Sequence, residues 1–400
     1  MLYEININNH EQSKIVLSQI SVTQEGIELM ADKLLHLNIK LKNIKLAAAN
    51  ILKQEMLSLG ADAAVAKGVV IGKDELSDAV LSGSINQFRK LVCKLERQSW
   101  FGLSEIKTRI NTIIQQYISD KKEIMHMRGR TFYSGNCYIM GILNITPDSF
   151  SDGNKYFETN IAIQRCLEMI DEGADIIDIG GESSRPGSEP IGHEEEIKRI
   201  LPVIQEIRRQ SDIPISIDTY NSETARAAID SGADIINDIS ALRLNHDLIN
   251  VVKENIHVPI ILMHMLGEPK TMQVNPYYDD VINEIMVFFE ERINYCEQNG
   301  IDRQRLILDP GIGFGKRLED NLRILHHLST FKSLGCPVML GASRKSFINK
   351  LYQSKSDERL IGSLGTSALA YQQKMDFVRV HDVKEHKQLL TVLNSVEAHI

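Results

Sequence analysis

From Cys137 onward the chain alternates eight times between a short apolar, β-rich run and a stretch of helical periodicity. The runs are Tyr138–Ile145, Asp175–Ile179, Pro214–Ile217, Ile235–Ile239, Pro259–Met263, Leu306–Leu308, Pro337–Leu340 and Phe377–Val380. Helical patterns at Ile161–Glu172, Glu194–Arg208, Ser222–Asp230 and Asp280–Glu297 lie between them. Near-continuous apolar strands joined by helices demand a parallel sheet covered on both faces. Eight such repeats in the 264 residues from 137 to 400 fit a (β/α)8 TIM barrel in count and in size. An internal echo supports repetition of one βα unit: DEGADIIDIGG at Asp171–Gly181 and DSGADIINDIS at Asp230–Ser240.

At 400 residues the chain exceeds the usual single domain. The fold class expected is α/β, the barrel over 134–400 preceded by a small α/β domain over 1–133. Within the latter, Tyr3–Asn8, Gly68–Gly72 and Asp78–Leu81 read as strands. Gly26–Leu35, Lys45–Leu59, Ile85–Glu96 and Ser104–Ser119 read as helices, and the charged step Asp120–Glu123 as a linker. This region shows no phosphate loop, metal-ligand spacing or nucleophile elbow. Its role is not legible beyond an accessory one.

A net charge of −8 argues against a general nucleic-acid or membrane-surface role. Five scattered cysteines without a CxxC pair read as reduced thiols of a cytoplasmic protein. The N-terminus lacks a basic start and an apolar core, so no secretory signal is expected. No apolar run approaches transmembrane length.

A barrel of this kind works at the C-terminal ends of its strands. Strand 1 ends in NITPDSFSDGN, with Asn144, Thr146, Asp148, Ser149, Ser151 and Asp152 as oxygen donors. Strand 2 ends at Asp178 and continues as GGESSRPG with Ser183, Ser184 and Arg185. The other ends carry Asp218-Thr219, Asn237-Asp238, His264, Asp309, Ser343-Arg344-Lys345-Ser346, and Arg379 with His381. Eight polar ends together point to a lined pocket rather than to eight separate caps.

Two subsets separate. Asp218, Asn237, Asp309 and Lys345 sit on four strands and suit the edge of a flat heterocycle bearing amino and amide groups. The competing reading is a helix cap for Asp218 and a solvated Lys345. Arg185, Arg379 and His381, with the oxygen-rich loop at Asn144, suit a polyphosphate; His381 alone would read as a core histidine. A magnesium ion, needing few protein ligands, fits better than a caged metal. HExxH, GxGxxG and GxSxG signatures are absent, and GIGFG after strand 6 has the wrong spacing for a dinucleotide turn.

MGILNITPDSFSDG, IIDIGGESSRPGS, ISIDTY, DIINDIS, LMHMLGEPKTMQ, ILDPGIGFGK, GASRKS and VRVHD, in this order, resemble dihydropteroate synthase over essentially all of Cys137–Ile400. The resemblance implies a folate-pathway enzyme joining (7,8-dihydropterin-6-yl)methyl diphosphate to 4-aminobenzoate with release of diphosphate. It implies that Asp218, Asn237, Asp309 and Lys345 hold the pterin and that Asn144 binds Mg2+. Arg379 and His381 would hold diphosphate, and Ser184 and Arg185 would help form the aminobenzoate site. Asp218, Lys345, Arg379 and His381 are the catalytic candidates. Ser184 stands where threonine is common, a change bearing on aminobenzoate and sulfonamide affinity. Ala241 and Asn154 replace frequent glycines. The family also implies a homodimer. The rival reading is a pterin-barrel methyltransferase serving a corrinoid protein, which would leave Arg379, His381 and the first loop unexplained. A degenerate, non-catalytic scaffold is the other alternative.

Overall fold

The computed structural model describes residues 1–72, 75–118, 122–145, 155–182 and 191–398. Thr146, Asp148, Ser149, Ser151, Asp152 and Asn154 of the first loop lie outside the described residues, as do Ser183, Ser184 and Arg185 of the second. The chain divides into two compact units, one built on Met1–Asp120 and one on Lys121–Lys332 with Cys336–His399.

The first unit holds a three-stranded antiparallel sheet in which Leu76–Ser84 lies between His36–Lys45 and Asp62–Val65. Leu37 and Ile39 are buried and alternate with more exposed neighbours, as do Ala79 and Leu81, so one sheet face is buried. Helices Leu46–Ser58, Ile85–Leu95 and Leu103–Ile118 share that core through Leu52, Phe88, Leu91 and Ile110. Ser84 starts the second of them with a capping box to Gln87. The three helices and the strand at Asp78–Leu81 fall where the sequence placed them. Tyr3–Asn8 is not a strand: no neighbour pairs with it, and Asn9 instead caps a helix at His10–Gln19. Gly68–Gly72 is not a strand either. Lys67–Ile71 forms a short helix that ends at Gly72 in the left-handed region.

The second unit opens with a hairpin, Glu123–Met127 and Arg130–Tyr133, turned at Arg128 and Gly129. Both turn residues have positive φ, 50° and 70°, the pairing a two-residue turn between twisted strands requires. Met125, Met127 and Phe132 of this hairpin belong to one buried cluster with the barrel floor. The boundary expected at residue 133 therefore moves toward residue 121: the hairpin's apolar face is covered by barrel side chains.

The barrel strands are β1 Tyr138–Asn144, β2 Ile176–Gly180, β3 Ile215–Asp218, β4 Ile235–Asp238, β5 Ile260–Met263, β6 Leu306–Asp309, β7 Met339–Leu340 and β8 Phe377–Val380. Each lies within two residues of its expected span. All pair in parallel in the order β6-β5-β4-β3-β2-β1-β8-β7. A bridge between Leu308 and Val338 joins the two ends. The echo noted in the sequence has a mechanical meaning. The carboxylates of Asp175 and Asp234, just before β2 and β4, accept from the amides of Ile139 and Ile215 on the neighbouring strand, at 2.8 and 2.9 Å. Asp376, before β8, does the same to Val338 at 2.8 Å.

Strand residues two apart share a face. Met140, Ile176, Ile235, Ile261, Ile307, Met339 and Phe377 point inward at the strand starts and close the floor. Fully burying each such side chain stabilises the fold by roughly 1.5–3 kcal/mol. Two residues later the inward positions become Asp178 on β2, Asn237 on β4, Asp309 on β6 and Arg379 on β8. An apolar floor with a polar layer directly above it is thus written into the period-two pattern.

Candidate active site

Above the floor, Asp218, Asn237, Asp309 and Lys345 line one small cavity that is open at its mouth. Met263, Ile239 and Phe314 supply its apolar wall. The four residues proposed from sequence to grip a flat ring therefore face a common space, from β3, β4, β6 and the loop after β7. Asn237 and Asp309 are buried. Gly341 also lines the space; a Cβ there would stand 3.2 Å from Asp309 Oδ2 and narrow it.

Arg379 lines the same cavity. Its Nε donates to Asp178 Oδ2 at 2.5 Å and its Nη2 to Asp218 Oδ2 at 2.6 Å. This corrects the division into two subsets, which set Arg379 apart from Asp218. An arginine between the buried Asp178 and the largely buried Asp218 is held by charge and geometry alike. Asp178 also accepts from Asn237 Nδ2 at 3.1 Å. It is completely buried and ties β2, β4 and β8 together. The sequence reading placed Asp178 at a strand end without a role. Its position two residues after Ile176, on the inward face, was the available signal.

The charges shape one another. Burial raises the Asp218 carboxyl to about 7; Arg379 opposes this and Asp178 adds to it. Burial likewise raises Asp309, against the hydrogen bond it accepts from Gly311 N at 2.8 Å. Burial lowers the Lys345 ammonium to about 8, with Arg379 pushing the same way and Asp309 and Asp218 opposing. That ammonium sits 4.0 Å from the centre of the Phe314 ring.

Other polar strand ends do different work. Asp238 faces away from Asn237, as adjacent strand residues must, and accepts from Ser240 N, Ser240 Oγ and Leu242 N. His264 turns its Nδ1 to Lys316 Nζ at 2.9 Å. Arg344 forms a two-point ion pair with Asp382. His381 meets Ser343 Oγ through Nδ1 at 3.0 Å, and burial with the nearby Arg379 and Arg344 lowers it to about 3. It is a neutral imidazole at pH 7, a hydrogen-bonding group and not a cation. Thr219 is engaged by Glu196, a buried helix residue the sequence reading did not mark. Glu196 Oε2 accepts from Thr219 Oγ1, Asn221 Nδ2 and Thr224 Oγ1 at 3.1, 2.9 and 2.7 Å and so holds the loop after β3. Asn144 ends β1, and its Oδ1 lies 3.6 Å from where a Cβ on Gly180 would stand.

A family model described as "Pterin binding enzyme" matches residues 140–381. The dihydropteroate synthase of Synechocystis sp. is 44% identical over 260 residues, covering 65% of this chain and 90% of that one. A probable bifunctional folylpolyglutamate synthase/dihydropteroate synthase of Haloferax volcanii is 35% identical over 353 residues, 86% of this chain and 41% of that protein. That share exceeds what the barrel unit contains, so the likeness extends into the first unit. The solved structure of Xanthomonas albilineans dihydropteroate synthase with 4-aminobenzoic acid superposes with a TM-score of 0.65 at 41% identity, over 70% of this chain and 99% of that one.

Fold, cavity and family match together define a pterin-binding enzyme of (β/α)8 form. More narrowly, the chain belongs to the dihydropteroate synthase family. Among the described residues no helix is long and apolar enough to cross a membrane.

Proposed function

We propose the following roles for the residues of this synthase site. The enzyme makes 7,8-dihydropteroate from a dihydropterin methyl diphosphate and 4-aminobenzoate, the ligand seen in the Xanthomonas protein. Asp309, Asn237 and Asp218 meet the amino and amide edge of the pterin, and Lys345 meets its carbonyl side. The observation that carries this reading is their convergence, with Arg379, on one cavity above an apolar floor. Asp218, ionised above pH 7, faces the ring and stabilises positive charge as the CH₂–O bond loosens. Arg379, locked by two carboxylates, presents its guanidinium toward the ring and the departing diphosphate. His381 donates a hydrogen bond to the leaving group; an arriving diphosphate would raise its pKa from the low value burial imposes. The aryl amine is neutral at pH 7 and needs placement more than a strong base, which falls to Ser184 and Arg185.

Asn144 offers one neutral oxygen beside Gly180, and the Asp218 carboxylate borders the same space. That suits Mg2+, which keeps most of its coordination shell on phosphate and water. When bound, the ion would neutralise the leaving diphosphate.

The reading extends to assembly and place. Ile361, Leu369, Val392 and Val396 are exposed on the helices Leu360–Gln372 and Val383–Glu397, an apolar face suited to a second copy of the chain. All five cysteines are free thiols, as a reducing cytoplasm keeps them. None of the proposed site residues lies in the first unit, which we assign an accessory role. Mixing the purified full-length protein with both substrates and Mg2+ should release diphosphate and yield dihydropteroate. Failure to release diphosphate would overturn the reading, and a monomer by light scattering would remove the dimer.

A further inference from the structure

We propose that Lys316 is a positioning residue whose buried ammonium gathers the loop after β6 and thereby sets Phe314 against Lys345 at the pterin cavity. The proposal rests on the assignment of that cavity to the pterin.

Lys316 is buried, and its Nζ lies 2.8 Å from Gly311 O, 3.0 Å from Phe314 O and 3.2 Å from His264 O. Three carbonyls can take its three protons. The lone pair of His264 Nδ1, 2.9 Å away, completes the surround. Carbonyl oxygens converging on one point normally cage a free cation; here the cation is tethered to the chain. Burial lowers this ammonium to about 7, with Asp309 opposing, so its charge depends on these partners.

The tethered loop adopts a path that few sequences allow. Gly311, Gly313 and Gly315 all have positive φ. A Cβ at Gly311 would lie 2.0 Å from His264 O, one of the oxygens Lys316 collects. The remaining loop groups are also held. Asp309 accepts from Gly311 N, Asn321 Oδ1 from Gly313 N at 2.8 Å, and Gly313 O from Gln273 Nε2 at 2.7 Å. Tyr278 donates to Gly315 O at 2.9 Å. Phe314 is carried at the centre of this arrangement, lines the cavity, and has the Lys345 ammonium 4.0 Å from its ring centre. Removing the ammonium donor at Lys316 takes this partner from the buried carbonyls of His264 and Phe314 and leaves Gly311 O with Phe314 N alone, so the loop must move to find water.

Lys316→Met keeps the length of the side chain and removes the donor. In the full-length protein it should weaken calorimetric binding of dihydropterin methyl diphosphate about tenfold. The KM for 4-aminobenzoate and kcat should change less than threefold. Pterin affinity within twofold of wild type, or equal losses in all three quantities, would overturn the proposal. Should Lys316→Met not fold, Gln273→Ala serves: Gln273 is exposed, and its loss frees the same loop at Gly313. A two- to fourfold weakening of pterin binding is then expected, and unchanged affinity rejects the proposal. Wild-type protein that binds no pterin diphosphate would refute the functional assignment itself, a result distinct from either.

Discussion

Asp178 Oδ2 lies 2.5 Å from Arg379 Nε, so a fully buried carboxylate of the barrel fixes the orientation of the cation that faces the substrate. Asp218 then takes Nη2 of the same guanidinium. Asp178→Asn keeps the shape but removes the charge that holds Nε. A lost hydrogen bond to a charged group costs about 1.5–3 kcal/mol, so kcat/KM for the pterin substrate should fall about 10- to 100-fold. Steady-state kinetics with Asp178→Asn, Arg379→Lys and the double variant check this. If the two losses multiply instead of overlapping, the residues do not act as one unit.

The two shifted groups flanking the ring predict a narrow pH window. Asp218 must be ionised to stabilise a cation-like pterin, and its carboxyl titrates near 7, so activity is lost as pH falls through about 7. Lys345 must be charged, and it titrates near 8, so activity is lost as pH rises through about 8. A bell-shaped kcat/KM profile is expected in the free enzyme. Asp218→Asn should be slower by a factor of about 100 and should lose the acid limb. Lys345→Ala should bind pterin diphosphate about tenfold more weakly and lose the part of the basic limb that lies near 8. The basic limb that remains in Lys345→Ala should be the one Lys316 sets, its ammonium being lowered to about 7, and should vanish in Lys316→Met.

How far these features could be read from the chain differs by unit. The barrel strands are apolar on both faces up to their polar C-terminal ends, so a short apolar run marks each one without help from its neighbours. In the first unit the strand His36–Lys45 alternates Leu37, Ile39 and Leu41 with His36, Asn38 and Lys40, but it becomes a strand only by pairing with Leu76–Ser84, distant in sequence. Asp62–Val65 is four residues long and carries no pattern of its own. At the site, residue types at strand ends were legible. Which of two adjacent polar residues faces inward, as Asn237 does and Asp238 does not, depends on strand phase. The bond from Arg379 to Asp178 spans three strands' worth of topology and leaves no local trace. Lys316 was hidden because the sequence reading weighed GIGFG only against a dinucleotide turn, whose spacing it lacks, and the carbonyls Lys316 gathers leave no side-chain pattern.

Ala241 tests a departure from the family's frequent glycine. Its φ is 52° and it is fully buried, followed by Leu242 at 64°. Left-handed backbone costs an L-residue roughly 1–2 kcal/mol. A buried methyl returns about 0.8 kcal/mol, and a stiffer unfolded chain roughly 0.4–1 kcal/mol. These nearly cancel, so Ala241→Gly should shift stability by less than about 1 kcal/mol. Ala241→Val adds β-branching at positive φ and should destabilise by more than about 2 kcal/mol. Urea titration followed by circular dichroism measures both. Equal effects would mean that the backbone at 241 relaxes freely.

The hairpin under the barrel gives a test of where the second unit begins. Phe132 is buried, edge-on to Tyr138 at 4.8 Å and 6.0 Å from Phe377, both barrel residues. Phe132→Ala should destabilise the barrel by about 3–5 kcal/mol, the usual cost of emptying an aromatic site in a core. Trp100 is the single tryptophan of the chain and lies in the first unit. Its fluorescence therefore follows that unit, while far-ultraviolet circular dichroism follows both. Phe132→Ala should lower the main circular dichroism transition and leave the Trp100 transition in place. A shift of the Trp100 transition with an unmoved barrel would return residues 122–133 to the first unit, because the lost packing would then have supported that unit and not the floor beneath the pterin.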